Sequence, residues 1–276
     1  MRVSFLHRGG EQMASYRYRA KIPARELGWS INDPSADVLI YAKPLSFELE
    51  EAKTAKRSGR RVIVDFCDDH FGRFPFYSEM ALLADQVTVP TEEMGLRTRT
   101  LFQVIPDPYE FEELLPHCDG DRLLWFGHAV NFRGLQRILP ELQCYPLTII
   151  SNVVGTVPWS LERMRDEFIR NDIVILPETE PYKSPNRAIE AIRQGCFVVA
   201  EPHPSLTGFP GIWIGNIKKG IEWARQNPQL ANDRTATAQD FVRKRFSPRI
   251  LADAWKRVIQ GSSCTLEAEA SIGMAG

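Results

Sequence analysis

The sequence predicts an α/β protein made of two similar halves, each on a largely parallel sheet, with a ligand cleft between them. Three observations carry this. Short β-branched runs alternate with amphipathic stretches along the chain, the signature of βαβ units. The rhythm breaks once, at IPDPYEFEELLPHCDGDR, where prolines at 106, 108 and 116 and Gly120 read as a linker. The same rhythm then resumes. In open α/β sheets ligands sit beyond the C-terminal strand ends, so two such halves place a cleft between them.

In order, the first-half strands are expected at Arg2–His7, Asp37–Tyr41, Arg61–Phe66, Gln86–Val89 and Gln103–Ile105. Helices are expected between them at Met13–Leu27, Ser46–Ser58, Ser78–Ala84 and Thr91–Leu101. The second half gives strands at Arg122–Phe126, Leu147–Ser151, Asp172–Leu176, Cys196–Ala200 and Ile212–Ile214. Its helices fall near Phe132–Glu141, Pro158–Ile169, Ser184–Gln194, Asn216–Gln226 and Asn232–Arg245, with a last one at Pro248–Gln260 after a Ser-Pro signal. The expected division is 1–115 and 116–260, followed by a small, polar tail over 261–276 that reads as disordered.

Composition narrows the function. The 276 residues carry 34 Lys+Arg against 35 Asp+Glu, a net charge of -1, which argues against a generic polyanion binder. Hydrophobic residues at 43% suffice for real cores without disulfide staples. No apolar run approaches the roughly 18 residues of a membrane helix. MRVSFLHRGG lacks the features of a signal peptide. The five cysteines, Cys67, Cys118, Cys144, Cys196 and Cys264, form no CxxC pair, so reduced thiols and a cytoplasmic setting are expected.

The richest stretch is NDIVILPETEPYKSPNRAIEAIRQGCFVVAEP. Pro177 stops a buried strand. Ser184 reads as an N-cap with Pro185 at the first helical position, and Gly195 supplies the left-handed exit. That helix end attracts phosphate, and Lys183 just before it can neutralise a diphosphate. On a helical wheel Glu190 falls on the polar face with Arg187, Arg193 and Gln194. The plain reading of the pattern is a solvated face with a Glu190–Arg187 pair.

KSPNRAIEA, followed by Gly195 and VVA, resembles the donor-binding segment of the glycosyl group 1 family of glycosyltransferases. These have the GT-B fold, two Rossmann-like domains across a cleft. Three further stretches fit: RLLWFGHAVNFRGLQRILPEL, FLHRGGEQMASYRYRAKIPARELG, and the VIPDPYEF linker. The likeness covers roughly residues 1 to 260. Tyr182 stands near where many members carry a second Glu, and Phe197 where they carry Pro. Members commonly exceed 350 residues, which implies a short N-terminal domain here.

The resemblance implies transfer of a sugar from a nucleotide-diphosphate donor, such as a UDP or GDP sugar, to a hydroxyl acceptor on a glycan or lipid-linked glycan. No cofactor or metal is implied beyond the donor as co-substrate. Glu190 would hold the donor ribose. Lys183, Ser184 and Asn186 would lie near the diphosphate or sugar, with Arg133, Gly127 and Gly10 at the donor. Arg17 and Lys43 are assigned to the acceptor side, although Arg17 and Arg19 read equally as solvated helix charges.

VIVDFCDDHF is the other chemical cluster. Asp68, Asp69 and His70 close a strand end, and one of them can accept the proton of an attacking hydroxyl. A structural Asp cap is the second reading, and metal binding with Asp65 the third. Three other functions remain open. One is glycosylation of a modified DNA base, with KRSGRR (56–61) and RKRFSPR (243–249) tracking the backbone. The others are a non-catalytic nucleotide-sugar binder and a GT-B-like epimerase.

Overall fold

Val3–Leu6 (β1), Val38–Ala42 (β3), Leu123–Phe126 (β7), Ile173–Leu176 (β10) and Phe197–Ala200 (β11) are buried at every residue. Strands covered on both faces read as continuous apolar runs, the mark of parallel sheets. The computed structural model describes residues 1–261 and bears this out. Ser30–Ile31 (β2), Arg61–Asp65 (β4), Gln86–Val89 (β5) and Phe102–Val104 (β6) complete a parallel first sheet of order β2-β1-β3-β4-β5-β6. Leu147–Ser151 (β8), Val157–Pro158 (β9) and Trp213–Ile214 (β12) complete a parallel second sheet of order β12-β11-β10-β7-β8-β9. The architecture is the expected pair of Rossmann-like halves, the GT-B arrangement.

The two-residue edge strands β2 and β9 are not among the expected strands, being too short to show alternation. Helix starts also shift. Pro75–Leu83 (α4) begins three residues early, and Pro228–Arg245 (α10) four, because a proline opens each. The expected first helix is three pieces: Ala14–Tyr16 (α1), a π-helical turn Arg17–Lys21, and Ile22–Leu27 (α2). Arg17, Tyr18, Arg19 and Ala20 are all buried, because this stretch is enclosed on several sides.

Each sheet has a core on both faces. In the first, Tyr41, Val64, Phe66 and Tyr77 lie on one side, and Phe5, Ile40 and Ile63 on the other. In the second, Phe126, Val174 and Ile189 face away from Trp125, Ile175 and Phe197. The last helix, Pro248–Gln260 (α11), departs from the expected division. Ala254, Trp255 and Val258 belong to the core of the first sheet, and Trp255 meets Phe5 edge-on at 5.1 Å. Its apolar face is covered by the first sheet although it follows the second in sequence. The expected tail beyond Gly261 lies outside the described residues.

Candidate functional site

In both sheets the chain reverses its direction of growth next to the first strand. β1 leads to β2 on one side before β3 takes the other, and β7 leads to β8 and β9 before β10 takes the other. These reversal points open a crevice at the C-terminal strand ends. Gly9, Gly10 and Lys43 lie at the first crevice, and Gly127 and the loop at 177–185 at the second. The two crevices face each other. Lys183 Nζ reaches Asp68 at 3.0 Å, and Thr91 Oγ1 donates to the Tyr182 carbonyl at 3.1 Å.

Asp68 follows β4 and sits between two ammonium groups, Lys43 at 2.8 Å and Lys183 at 3.0 Å. Burial opposes its charge, but Lys183 and Lys43 outweigh burial and hold the carboxyl well below the usual range. So firmly held a carboxylate is a weak proton acceptor. Lys43 adopts the left-handed region, φ 55°, rare for a residue with a side chain. Such strain recurs at functional sites.

Asp69 takes the structural role. It accepts from Arg97 Nε at 2.6 Å and from the Phe71 N–H at 3.2 Å. His70 stacks its ring edge-on against Phe74 and Tyr77 and stays partly exposed. Burial lowers its pKa, with Asp68 pulling the other way and Lys43 and Lys183 adding to the drop. A neutral imidazole at neutral pH follows. Asp65 is enclosed by Arg19 at 2.5 and 2.8 Å and by Thr88 Oγ1 at 2.7 Å. Arg19 also meets Asp107 at 3.2 Å. Among the described residues no cluster of His, Cys, Asp or Glu has the geometry to hold a metal ion.

Several expectations change. Glu190 is 1% exposed and not on a solvated face. Its carboxylate accepts from Tyr18 Oη at 3.1 Å and from the Glu110 and Phe111 N–H groups at 2.7 and 3.3 Å. Both carboxylate oxygens are thus engaged by the protein itself. Arg17, also buried, pairs with Glu110 at 2.9 Å and lies 5.3 Å from the Trp159 ring, so it joins the first half to the linker and the second half. Ser184 does not cap. Pro185 holds the N-cap position, Asn186–Arg193 (α8) begins at Asn186, and the Ser184 hydroxyl is buried without a hydrogen-bond partner among the described residues.

Gly10 is exposed and a Cβ there would meet nothing within 4 Å, so no close approach demands a glycine. Gly127 follows β7, and its N–H donates to the Ile150 carbonyl at 3.1 Å. Arg133, on Phe132–Ile138 (α6), is exposed. Its neighbour Gly134 is the glycine that geometry requires, since a Cβ there would lie 2.3 Å from the Glu178 carbonyl oxygen. Tyr182 packs against the first-half core, and Phe197 is fully buried in β11. In the two basic runs three of the cations are ion-paired and Arg61 is bonded to a carbonyl. Lys56 pairs with Asp85, Arg61 donates to Val258, Arg243 pairs with Glu113 and Asp240, and Lys244 pairs with Asp240.

No family model matches the chain, and no curated protein matches it in sequence. Solved structures do match in fold. Anabaena Alr3699/HepE in complex with UDP-glucose superposes with a TM-score of 0.73 at 12% identity, over 95% of this chain and 100% of that one. An α-glucosyltransferase in complex with UDP and a 13-mer DNA containing an HMU base gives 0.67 at 9% identity, over 94% and 99%. A putative UDP-N-acetylglucosamine 2-epimerase from Listeria monocytogenes gives 0.52 at 10% identity, over 95% and 97%. At these identities the likeness shows the fold. Among the described residues no helix is long and apolar enough to cross a membrane.

Proposed function

We propose that the chain is a glycosyltransferase that moves a sugar from a nucleotide-diphosphate donor to a hydroxyl acceptor. The observation that carries the reading is the meeting of the two crevices at Lys43, Asp68 and Lys183, where two cations face one anion. The surplus positive charge suits a leaving diphosphate, whose charge grows as the sugar bond breaks. The donor lies on the second half, with Lys183, Asn186 and the start of α8 at its phosphates. The acceptor lies on the first, against the segment after β4. His70 takes the acceptor proton, and Asp68 orients the two lysines. The nucleotide sugar is a co-substrate and no other cofactor enters.

The neighbours with bound UDP or UDP-glucose support this reading. The group 1 likeness of KSPNRAIEA favours a glycan or lipid-linked glycan acceptor over DNA. A thermal-shift panel of UDP, GDP and their sugars tests it. Ligand at 100 times its dissociation constant adds about 2.7 kcal/mol, an easily read rise in Tm. A rise with one base, and release of that nucleoside diphosphate only when acceptor is added, is expected. Turnover of the donor without acceptor would favour an epimerase. Binding without any turnover would favour a non-catalytic module.

A further inference from the structure

Arg187 occupies the reversal point of the second sheet. It stands on the first turn of α8, just after the loop that leaves β10. Its Nη1 reaches the carbonyl of Phe126, the last residue of β7, at 3.5 Å, which is long for a hydrogen bond. A Cβ on Gly127 would come equally close to that nitrogen. Arg187 also lines a surface depression with Leu176, Pro177, Thr179, Ser184 and Pro185.

The fully buried guanidinium groups all have an acid, and Arg61 and Arg234, half-buried like Arg187, donate to backbone carbonyls at 3.0 and 2.8 Å. Arg17 has Glu110, Arg19 has Asp65 and Asp107, and Arg193 has Glu113. Arg187 has none in ion-pair distance among the described residues, and Glu180 acts on it from further off, opposing the effect of burial. Burial pulls its pKa down to about 10. Half-burying a cation with neither a counter-charge nor a hydrogen bond of ordinary length carries a cost, and at a ligand crevice an anion from outside would offset it. The sequence pattern hides this, since it places Arg187 on a solvated face beside Glu190. Glu190 is turned away into the bonds with Tyr18 and the linker.

We propose that Arg187 is the counter-charge for the donor diphosphate, an inference that rests on the donor reading above. Its planar fork suits two phosphate oxygens at once. The free N–H groups at the start of α8 point to the same place.

The test compares wild type with Arg187→Met and Arg187→Lys. The probes are UDP, GDP, inorganic pyrophosphate and the bare nucleosides uridine and guanosine. The Met variant is expected to lose at least about 10-fold in affinity for pyrophosphate and for the nucleoside diphosphate that wild type binds. Nucleoside affinity stays unchanged, the Lys variant recovers part of the loss, and the unliganded Met variant melts no lower than wild type. Equal diphosphate affinity in wild type and the Met variant overturns the inference and leaves the donor reading standing. Loss of nucleoside and diphosphate together overturns it too, because the damage is then to the fold. A wild type that binds neither diphosphate nor pyrophosphate overturns both.

Discussion

Tyr18 Oη donates to the Glu190 carboxylate at 3.1 Å, and this bond joins the helical stretch of the first half to α8 of the second. The linker N–H groups of Glu110 and Phe111 complete the shell. Burial nonetheless dominates and raises the Glu190 pKa to about 8. The folded state therefore holds a proton that the unfolded chain releases near pH 4.5. Stability from this group is full below that value and is lost as pH rises toward 8, on the order of 5 kcal/mol in all. Glu190→Gln removes the dependence. Tm measured from pH 5 to 8.5 is expected to fall more steeply in wild type than in the variant, and parallel slopes would refute this.

His7 carries the opposite sign. Burial, with Lys43 adding to it, lowers its pKa to about 4. The folded state refuses a proton that the unfolded chain takes up near pH 6.5. Its contribution is full above that value and drains as pH falls toward 4. His7→Asn is expected to flatten the acid limb of the Tm profile and leave the alkaline limb alone.

The two halves and their strands were legible because buried parallel strands announce themselves as apolar runs. Residues 86–89 and 147–151 agree with the expected strands to the residue. The site was legible as segments and less so as roles. Lys183, Asp68 and His70 do meet in the cleft. Glu190, Arg17 and Arg19 could not be placed, since a helical wheel assumes that only one face of a helix is covered. α8 and the stretch at 17–20 lie between two packed bodies, so their polar faces are buried as well. The return of α11 to the first sheet was hidden for a similar reason: its amphipathic pattern demands a partner without naming one.

Arg19 and Asp65 form the most enclosed ion pair, at 1% and 0% exposure. Removing Asp65 leaves the buried Arg19 with Asp107 at 3.2 Å as its remaining counter-charge and with two guanidinium N–H groups unpaired. Asp65→Ala is expected to cost about 3–5 kcal/mol, read by urea unfolding. Conversion of Asp68, only partly enclosed, to Asn is expected to cost far less. Comparable losses at both positions would contradict the burial contrast.

Asp68 is held by Lys43 and Lys183, while His70 beside it has its pKa lowered and stays neutral at neutral pH. Only the neutral imidazole takes a proton. If His70 is the base, kcat/KM for transfer falls on the acid side with an apparent pKa below 6.5, and the rate is level from there to neutral pH. His70→Ala is expected to lower kcat by about 100-fold or more and to abolish that acid limb, with donor KM little changed. Lys183→Met is expected to act in the other way, raising donor KM and lowering kcat/KM while keeping the acid limb. Asp68→Asn separates the two roles. It frees both lysines and removes the carboxylate that pulls the imidazole pKa upward, so the acid limb shifts to lower pH. An acid limb that vanishes in Asp68→Asn and survives in His70→Ala would return the proton-accepting role to Asp68.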